Sequence, residues 1–397
     1  MTSTVQSSQP APTAVLPLAG LRVIDLTHAF AGPFATYHLG LMGAEIVKVE
    51  PPGRGDEFRG WRATTFAQAN AGKRSITIDL KQAAGREVLH RLIKDADVAI
   101  ENFRPGVAAQ LGLDWQKLEQ LNPRLIYCSV SGYGQSGELM DRPAMEWSVQ
   151  AMSGITSLYV GDDQEARTLG LSILDPFAGY MAYASIMAAL LARQQTGRGQ
   201  RVDVAMFDAA WVLNAAAIAD VVAGDVPVSM TRRANSARFM AKDRRLFISF
   251  IWPKWFATLS EVLAAPELLS DPRFADARSM QDSGDALIEE VERRLAARTA
   301  EEWAKELTGR GVPASPVYTV AEIAAWPQVR SRRLLETARF EEGGQSLEVV
   351  GSGVSFSSIA ASLRRPVPAL GEFTEQALRG AGYDAAEIAK LRQDGVV

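Results

Sequence analysis

Six short runs of β-branched and aliphatic residues alternate with helical patterns over the first half of the chain, and this alternation restricts the fold more than any other feature. Residues 21–27 (LRVIDLT), 44–50 (AEIVKVE), 75–80 (SITIDL), 97–103 (DVAIENF), 125–131 (LIYCSVS) and 201–208 (RVDVAMFD) read as strands. Residues 33–42 read as a helix, with Pro33 in its first turn and Gly43 at its end. Residues 83–96 carry Val88, Leu89, Leu92 and Ile93 at helical spacing, and 114–121 form a short helix closed by Asn122 and Pro123. The longest buried helix is expected at 176–193, with Thr196-Gly197-Arg198-Gly199 stopping it. Strands that alternate with helices imply an α/β fold, a mainly parallel sheet covered on both faces.

The pattern loosens near residue 221, and from 237 the chain turns aromatic and short-stranded, then charged and helical. This predicts a disordered polar tail over 1–15, a large domain over 16–220, a linker over 221–236, a small α+β domain over 237–325, and a return to the large domain over 326–397. Two C-terminal helices, 372–380 and 385–393, are expected to pack back on the large domain. With 42 Lys and Arg against 46 Asp and Glu, the net charge of −4 gives no general field for nucleic acid. The single cysteine, Cys128, excludes an internal disulfide framework and a cysteine metal cage. The tail does not read as a signal peptide, and the uncharged stretch at 176–192 reads as a core helix, so no membrane partner and a cytoplasmic location are expected.

Most chemical-looking signals are weak. Gly132-Tyr133-Gly134-Gln135-Ser136-Gly137 matches a dinucleotide fingerprint, but it follows a late strand and Pro143 interrupts any helix behind it. His28, His38 and His90 make no metal-ligand spacing, so no metal site is expected; His28 follows a strand where parallel sheets bind ligands, while His38 and His90 read as structural. Lys48, Arg54, Lys73, Arg74 and Arg104 lie near strand ends and read either as phosphate contacts or as solvated charge. Asp175 opens the long uncharged helix with Pro176 behind it, a preferred N-cap pairing. A carboxylate held ionised there by the helix dipole also suits nucleophilic catalysis, and the two readings are compatible.

Several longer segments in a fixed order carry a family resemblance: LAGLRVIDLTHAFAGP, LGLMGAEIVKVEPPGRGD, NAGKRSITIDLK, DVAIENFRPG, LNPRLIYCSVSGYG, TGRGQRVDVAMFDA, DPRF and PALGEFTEQ. From about residue 18 to the C-terminus the chain resembles the family III CoA-transferases, the group that includes formyl-CoA transferase and the carnitine CoA-transferases. The resemblance implies a Rossmann-like large domain built from both chain ends, a smaller second domain, and a homodimer of two interlocked rings. It implies CoA exchange between an acyl-CoA and a free carboxylic acid through covalent intermediates on Asp175. CoA then enters as substrate, with no tightly bound cofactor.

Carried over residue by residue, the CoA pocket would take Ala29, Ile78, Asp79, Lys81, Asn102, Phe103 and Arg104, and the acyl site Phe30, Trp61, Glu146 and Met206. Each has a plainer reading: Ile78 and Met206 as core, Asn102 as a turn former, Glu146 as a solvated charge. Amides at the helix start, or in the loop 132–137, are the expected oxyanion donors. Phe30 stands where formyl-CoA transferases have glutamine, which weighs against formyl-CoA and oxalate. Arg232, Arg233 and Arg238 either grip the distal carboxylate of a dicarboxylate such as succinate, with succinyl-CoA as donor, or are solvated linker charges. The rivals are an acyl-CoA racemase of the same fold, for which the segment RPAMEWSVQ lacks a histidine base, and a nicotinamide-dependent dehydrogenase.

Overall fold

The protein is described by a computed structural model that covers residues 15–159, 165–224, 234–340 and 343–397. It divides into two compact units: residues 1–153, 170–213 and 327–397 form one, and 154–169 with 214–326 form the other. The second unit therefore begins at 214 rather than 237, and it also takes 154–169, a stretch with no shift of composition to mark it. Much of the expected linker, and the tail up to residue 14, lie outside the described residues.

The first unit is built on six parallel strands: β1 (Arg22–Asp25), β2 (Glu45–Glu50), β3 (Arg74–Thr77), β4 (Val98–Glu101), β5 (Ile126–Ser131) and β6 (Gln200–Ala205). Their order is β3-β2-β1-β4-β5-β6, the doubly wound order, which reverses between β1 and β4. Every residue of β4 and β5 is buried, as expected of strands covered on both faces. In chain order the helices are α1 (Ala31–Leu41), α2 (Glu57–Trp61), α3 (Ala63–Asn70), α4 (Ala83–Lys94), α5 (Val107–Gln110), α6 (Trp115–Leu121), α7 (Glu146–Met152), α8 (Ile155–Leu158, in the second unit), α9 (Leu174–Thr196) and α10 (Met206–Leu213). Pro33 sits two residues inside α1 rather than at its start, still within the first turn where a missing N–H costs nothing.

One face of the sheet packs on α4. Val88, Leu89, Leu92 and Ile93 meet Ile24, Val47, Val49 and Ile76 in a single apolar cluster. Each such side chain contributes about 1.5–3 kcal/mol by leaving water. Ala377, Leu378, Ile388 and Leu391, from the helices Thr374–Gly380 and Ala385–Gln393, join the same cluster.

On the other face α9 lies beside α1, running the same way. Gly179 faces the start of α1, and Tyr180 and Tyr183 face His38 a turn or more along it. A Cβ at position 179 would stand 2.6 Å from the Ala31 carbonyl oxygen, so only glycine permits this approach. Gly197, with φ +71, ends α9 in the left-handed conformation expected of a C-terminal glycine.

The second unit has its own core, in which Phe239, Leu246, Ile248, Phe250, Phe256, Leu287, Val291 and Leu307 are buried. A three-stranded antiparallel sheet, Ser236–Met240, Arg245–Ser249 and Ala314–Pro316, forms part of it.

Candidate functional site

The carboxyl ends of β1, β2, β3 and β4 open on a cavity of about 290 Å³, at the place where doubly wound sheets bind ligands. Its lining includes His28, Arg54, Ile78, Asp79, Lys81 and Phe103. The turn between β1 and α1 forms one wall. Ala29 there has φ +63, a conformation that costs a residue with a Cβ about 1–2 kcal/mol. Asn102 holds that turn from the end of β4: its Nδ2 donates to the His28 carbonyl at 2.8 Å, and its Oδ1 accepts the His28 N–H at 2.9 Å.

Beneath the turn lies a buried ionic set. Lys73 Nζ donates to Asp25 (2.9 Å), the Pro33 carbonyl (2.9 Å) and Asn70 Oδ1 (2.8 Å), which uses all three of its hydrogens. Burial raises the Asp25 pKa, but Lys73 and Lys48 overcome it and hold the carboxyl far below its ordinary value. Lys48 donates to the Thr27 carbonyl at 2.7 Å and pairs with Asp56 at 3.0 Å. Lys48 and Lys73 are therefore neither phosphate ligands nor solvated charges; they are internal struts for the turn. Arg74 pairs with Glu45 at the opposite, N-terminal end of β2 and β3.

The second feature is the start of α9. Asp175 is not its N-cap: the helix begins at Leu174, and Asp175 is its second residue. The cap is supplied from α7. Glu146 Oε1 accepts the Ile173 and Leu174 N–H groups, both at 3.1 Å, and its Oε2 accepts the Asp175 N–H at 2.7 Å. Position 176 is proline and has no N–H, so every donor at this helix end is committed. The helix start therefore offers no oxyanion donor. In the loop 132–137, the Gly134 N–H goes to Ser131 Oγ and the Gln135 N–H to Asp203.

The two carboxylates are pushed apart in acidity. Burial would raise Glu146, but hydrogen bonds from Gln150, from the Asp175 and Leu174 amides and from Ser172 hold it below its usual range. Asp175 is raised to about 6, first by burial and then by the charge of Glu146. The helix end thus stabilises Glu146, and Asp175 is easier to protonate than an ordinary aspartate. Among the described residues its carboxylate has one side-chain hydrogen-bond partner, Ser172 Oγ at 3.4 Å.

A sequence profile of CoA-transferase family III matches residues 18–374. The chain belongs to that family. This CoA-transferase is 39% identical over 331 residues to the acetyl-CoA:oxalate CoA-transferase of Acetobacter aceti, covering 80% of this chain and 85% of that one. It is 30% identical to the mouse succinyl-CoA:glutarate CoA-transferase over 96% of this chain and 90% of that one. The crystal structure of a CAIB/BAIF family protein from Brucella suis superposes with a TM-score of 0.82 at 32% identity, covering 93% of this chain and all of that one. A Mycobacterium tuberculosis protein, solved with one aspartate replaced by alanine, gives a TM-score of 0.83 at 32% identity over 92% of this chain and 98% of that one.

In this CoA-transferase Ile78, Asp79, Lys81 and Phe103 line the cavity together. Asn102 is spent on the His28 backbone. Arg104 is exposed just beyond β4, and Trp61, on α2, is 73% exposed. Phe30 precedes α1 and stacks on Phe34 at 5.1 Å. Asp175 stands one turn before Gly179 on α9, the residue that packs against the Ala31 carbonyl, and is not among the residues that line the cavity. Glu146 is buried rather than solvated, and Met206 is buried at the start of α10. Arg238 is exposed on its strand in the second unit, while Arg232 and Arg233 lie outside the described residues. The loop 132–137 is followed by turns and then α7 after eight residues, not by a helix that could cradle a pyrophosphate.

Sequence reasoning missed Ser172 and the Asp25–Lys73 pair. Asp25 sits inside the hydrophobic run LRVIDLT, and a charged residue within a parallel strand was a usable signal. Nothing local marked Ser172, because its partners lie 26 residues away in Glu146 and three residues away in Asp175.

Proposed function

We propose that this CoA-transferase moves CoA from an acyl-CoA, succinyl-CoA in the first instance, to a free dicarboxylic acid, with Asp175 as the covalent carrier. The observation that carries the reading is the division of labour at the start of α9. Glu146 absorbs every helix-end donor, so the Asp175 carboxylate is left half-buried and almost without partners, as a nucleophile must be.

Asp175 attacks the thioester carbonyl, the C–S bond breaks, and a mixed anhydride and CoA thiolate form. The thiolate adds to the aspartyl carbonyl and expels the first acid, leaving an aspartyl-CoA thioester. The acceptor carboxylate then reverses both steps. The energy of the thioester passes through each intermediate. In this reading CoA takes the cavity at the carboxyl ends of β1–β4, where Lys81 and Arg54 are available to its phosphates.

The dicarboxylate assignment is supported by the relatives named for oxalate and glutarate. A cytoplasmic interlocked homodimer with a Rossmann-like large domain completes the reading. The test is incubation with a panel of acyl-CoAs followed by mass spectrometry of the peptide that contains Asp175. A CoA adduct on Asp175 that an added acid discharges is expected. Product formation with Asp175 never modified would refute the reading.

A further inference from the structure

Two carbonyl carbons pass through tetrahedral states in the proposed reaction: the acyl carbon of the donor and Cγ of Asp175 itself. Each needs a hydrogen-bond donor for the oxygen that takes up charge. For the oxygen on Cγ the usual source, the amides of the helix on which Asp175 stands, is closed. Glu146 holds the amides of residues 173, 174 and 175, and Pro176 has none. Among the described residues, the side-chain donor in range of the Asp175 carboxylate is the Ser172 hydroxyl. Its Oγ stands 2.8 Å from Glu146 Oε2 and 3.4 Å from Asp175 Oδ2, so its single hydrogen now points to Glu146.

We infer that Ser172 is a catalytic residue whose hydroxyl swings from Glu146 to the Asp175 carbonyl oxygen as charge develops on it. This rests on the covalent role proposed for Asp175. As the thiolate adds to Cγ, the C–S bond forms and the carbonyl electron pair moves onto oxygen. The Ser172 O–H then hydrogen-bonds to that oxygen, without giving up its proton. On collapse the bond from Cγ to the departing carboxylate breaks, and the hydroxyl returns to Glu146. The exchange is cheap for Glu146, which keeps Gln150 Nε2 at 2.6 Å and its three amide donors while Ser172 is away. The hydroxyl also lies on a segment exposed to solvent, where it has room to rotate.

The inference separates the two half-steps. S172A should form the mixed anhydride at the wild-type rate, because that step develops charge on the donor's carbonyl. Conversion of anhydride to aspartyl-CoA should slow by about 100-fold, as for loss of one oxyanion donor. S172T, which keeps a hydroxyl, should recover most of the rate. The experiment is rapid quench of wild type, S172A and S172T with succinyl-CoA or acetyl-CoA. Intact-protein mass spectrometry resolves the acyl adduct from the heavier CoA adduct, and the dissociation constant for CoA is measured alongside. Accumulation of the acyl adduct in S172A alone, with CoA affinity unchanged, supports the inference. Aspartyl-CoA formed by S172A at the wild-type rate overturns it while leaving Asp175 as carrier, and so does equal slowing in S172A and S172T. Absence of any adduct from the wild type during turnover overturns both.

Discussion

Replacing Asp175 by asparagine should make the protein more stable at pH 8. Folding raises this carboxyl from 3.8 to about 6, chiefly by burial and then through Glu146. A group whose pKa rises on folding favours the fold fully below its unfolded value, and loses that contribution as the pH climbs through the folded one. At pH 8, holding Asp175 ionised in the folded state therefore costs about 3 kcal/mol, or ~2 kcal/mol once its partial contact with water is allowed for. Asparagine is neutral throughout and avoids the cost. D175N should thus exceed the wild type by about 2 kcal/mol at pH 8, with the gap closing from pH 6 to pH 4, while transfer activity is lost. Calorimetric unfolding of both proteins across that range is the assay. A D175N protein that is less stable at pH 8, or a gap that does not vary with pH, would falsify the electrostatic account of the site.

Three other substitutions probe the surrounding shell. E146Q removes the charge that helps to raise Asp175, so the acid limb of the kcat/KM profile, expected near pH 6 in the wild type, should move to lower pH; a limb that stays in place contradicts the coupling. K73M strips Asp25 of its cation in a fully buried site and should cost about 3–5 kcal/mol in denaturant unfolding, whereas a loss below 1 kcal/mol would mean the pair is dispensable. A29G relieves the φ of +63 at the turn and should stabilise by about 0.5–1 kcal/mol, against the usual direction for glycine; destabilisation would place the strain elsewhere.

The sheet was legible because short β-branched and aliphatic runs mark its strands and its helices carry a clear stripe, as in Val88, Leu89, Leu92 and Ile93. The long helix was found within two or three residues at each end, with its glycine stop correctly placed. Its N-terminus was misread for a definite reason. Asp-Pro fits a local cap, but the actual cap is Glu146, brought in from α7. Local rules cannot weigh a donor set supplied by another element. The same limit explains Lys48 and Lys73, which read as strand-end charges and are in fact buried against Asp56 and Asp25. Asn102 was named as a pocket residue, and its side chain is engaged with the backbone of the β1–α1 turn at His28.

The apolar cluster that joins α4 to Ala377, Leu378, Ile388 and Leu391 bears on how the molecule is made. Roughly 280 residues separate Ile93 from Ala377, and at a synthesis rate of about 5–20 residues per second the ribosome needs on the order of 15–55 s to cover that distance. For that interval the apolar cluster lacks the side chains of its two C-terminal helices while the intervening unit emerges. A nascent chain of this design would lean on holdase chaperones, and slowed elongation anywhere past the midpoint would lower the yield of soluble enzyme without touching a single catalytic atom.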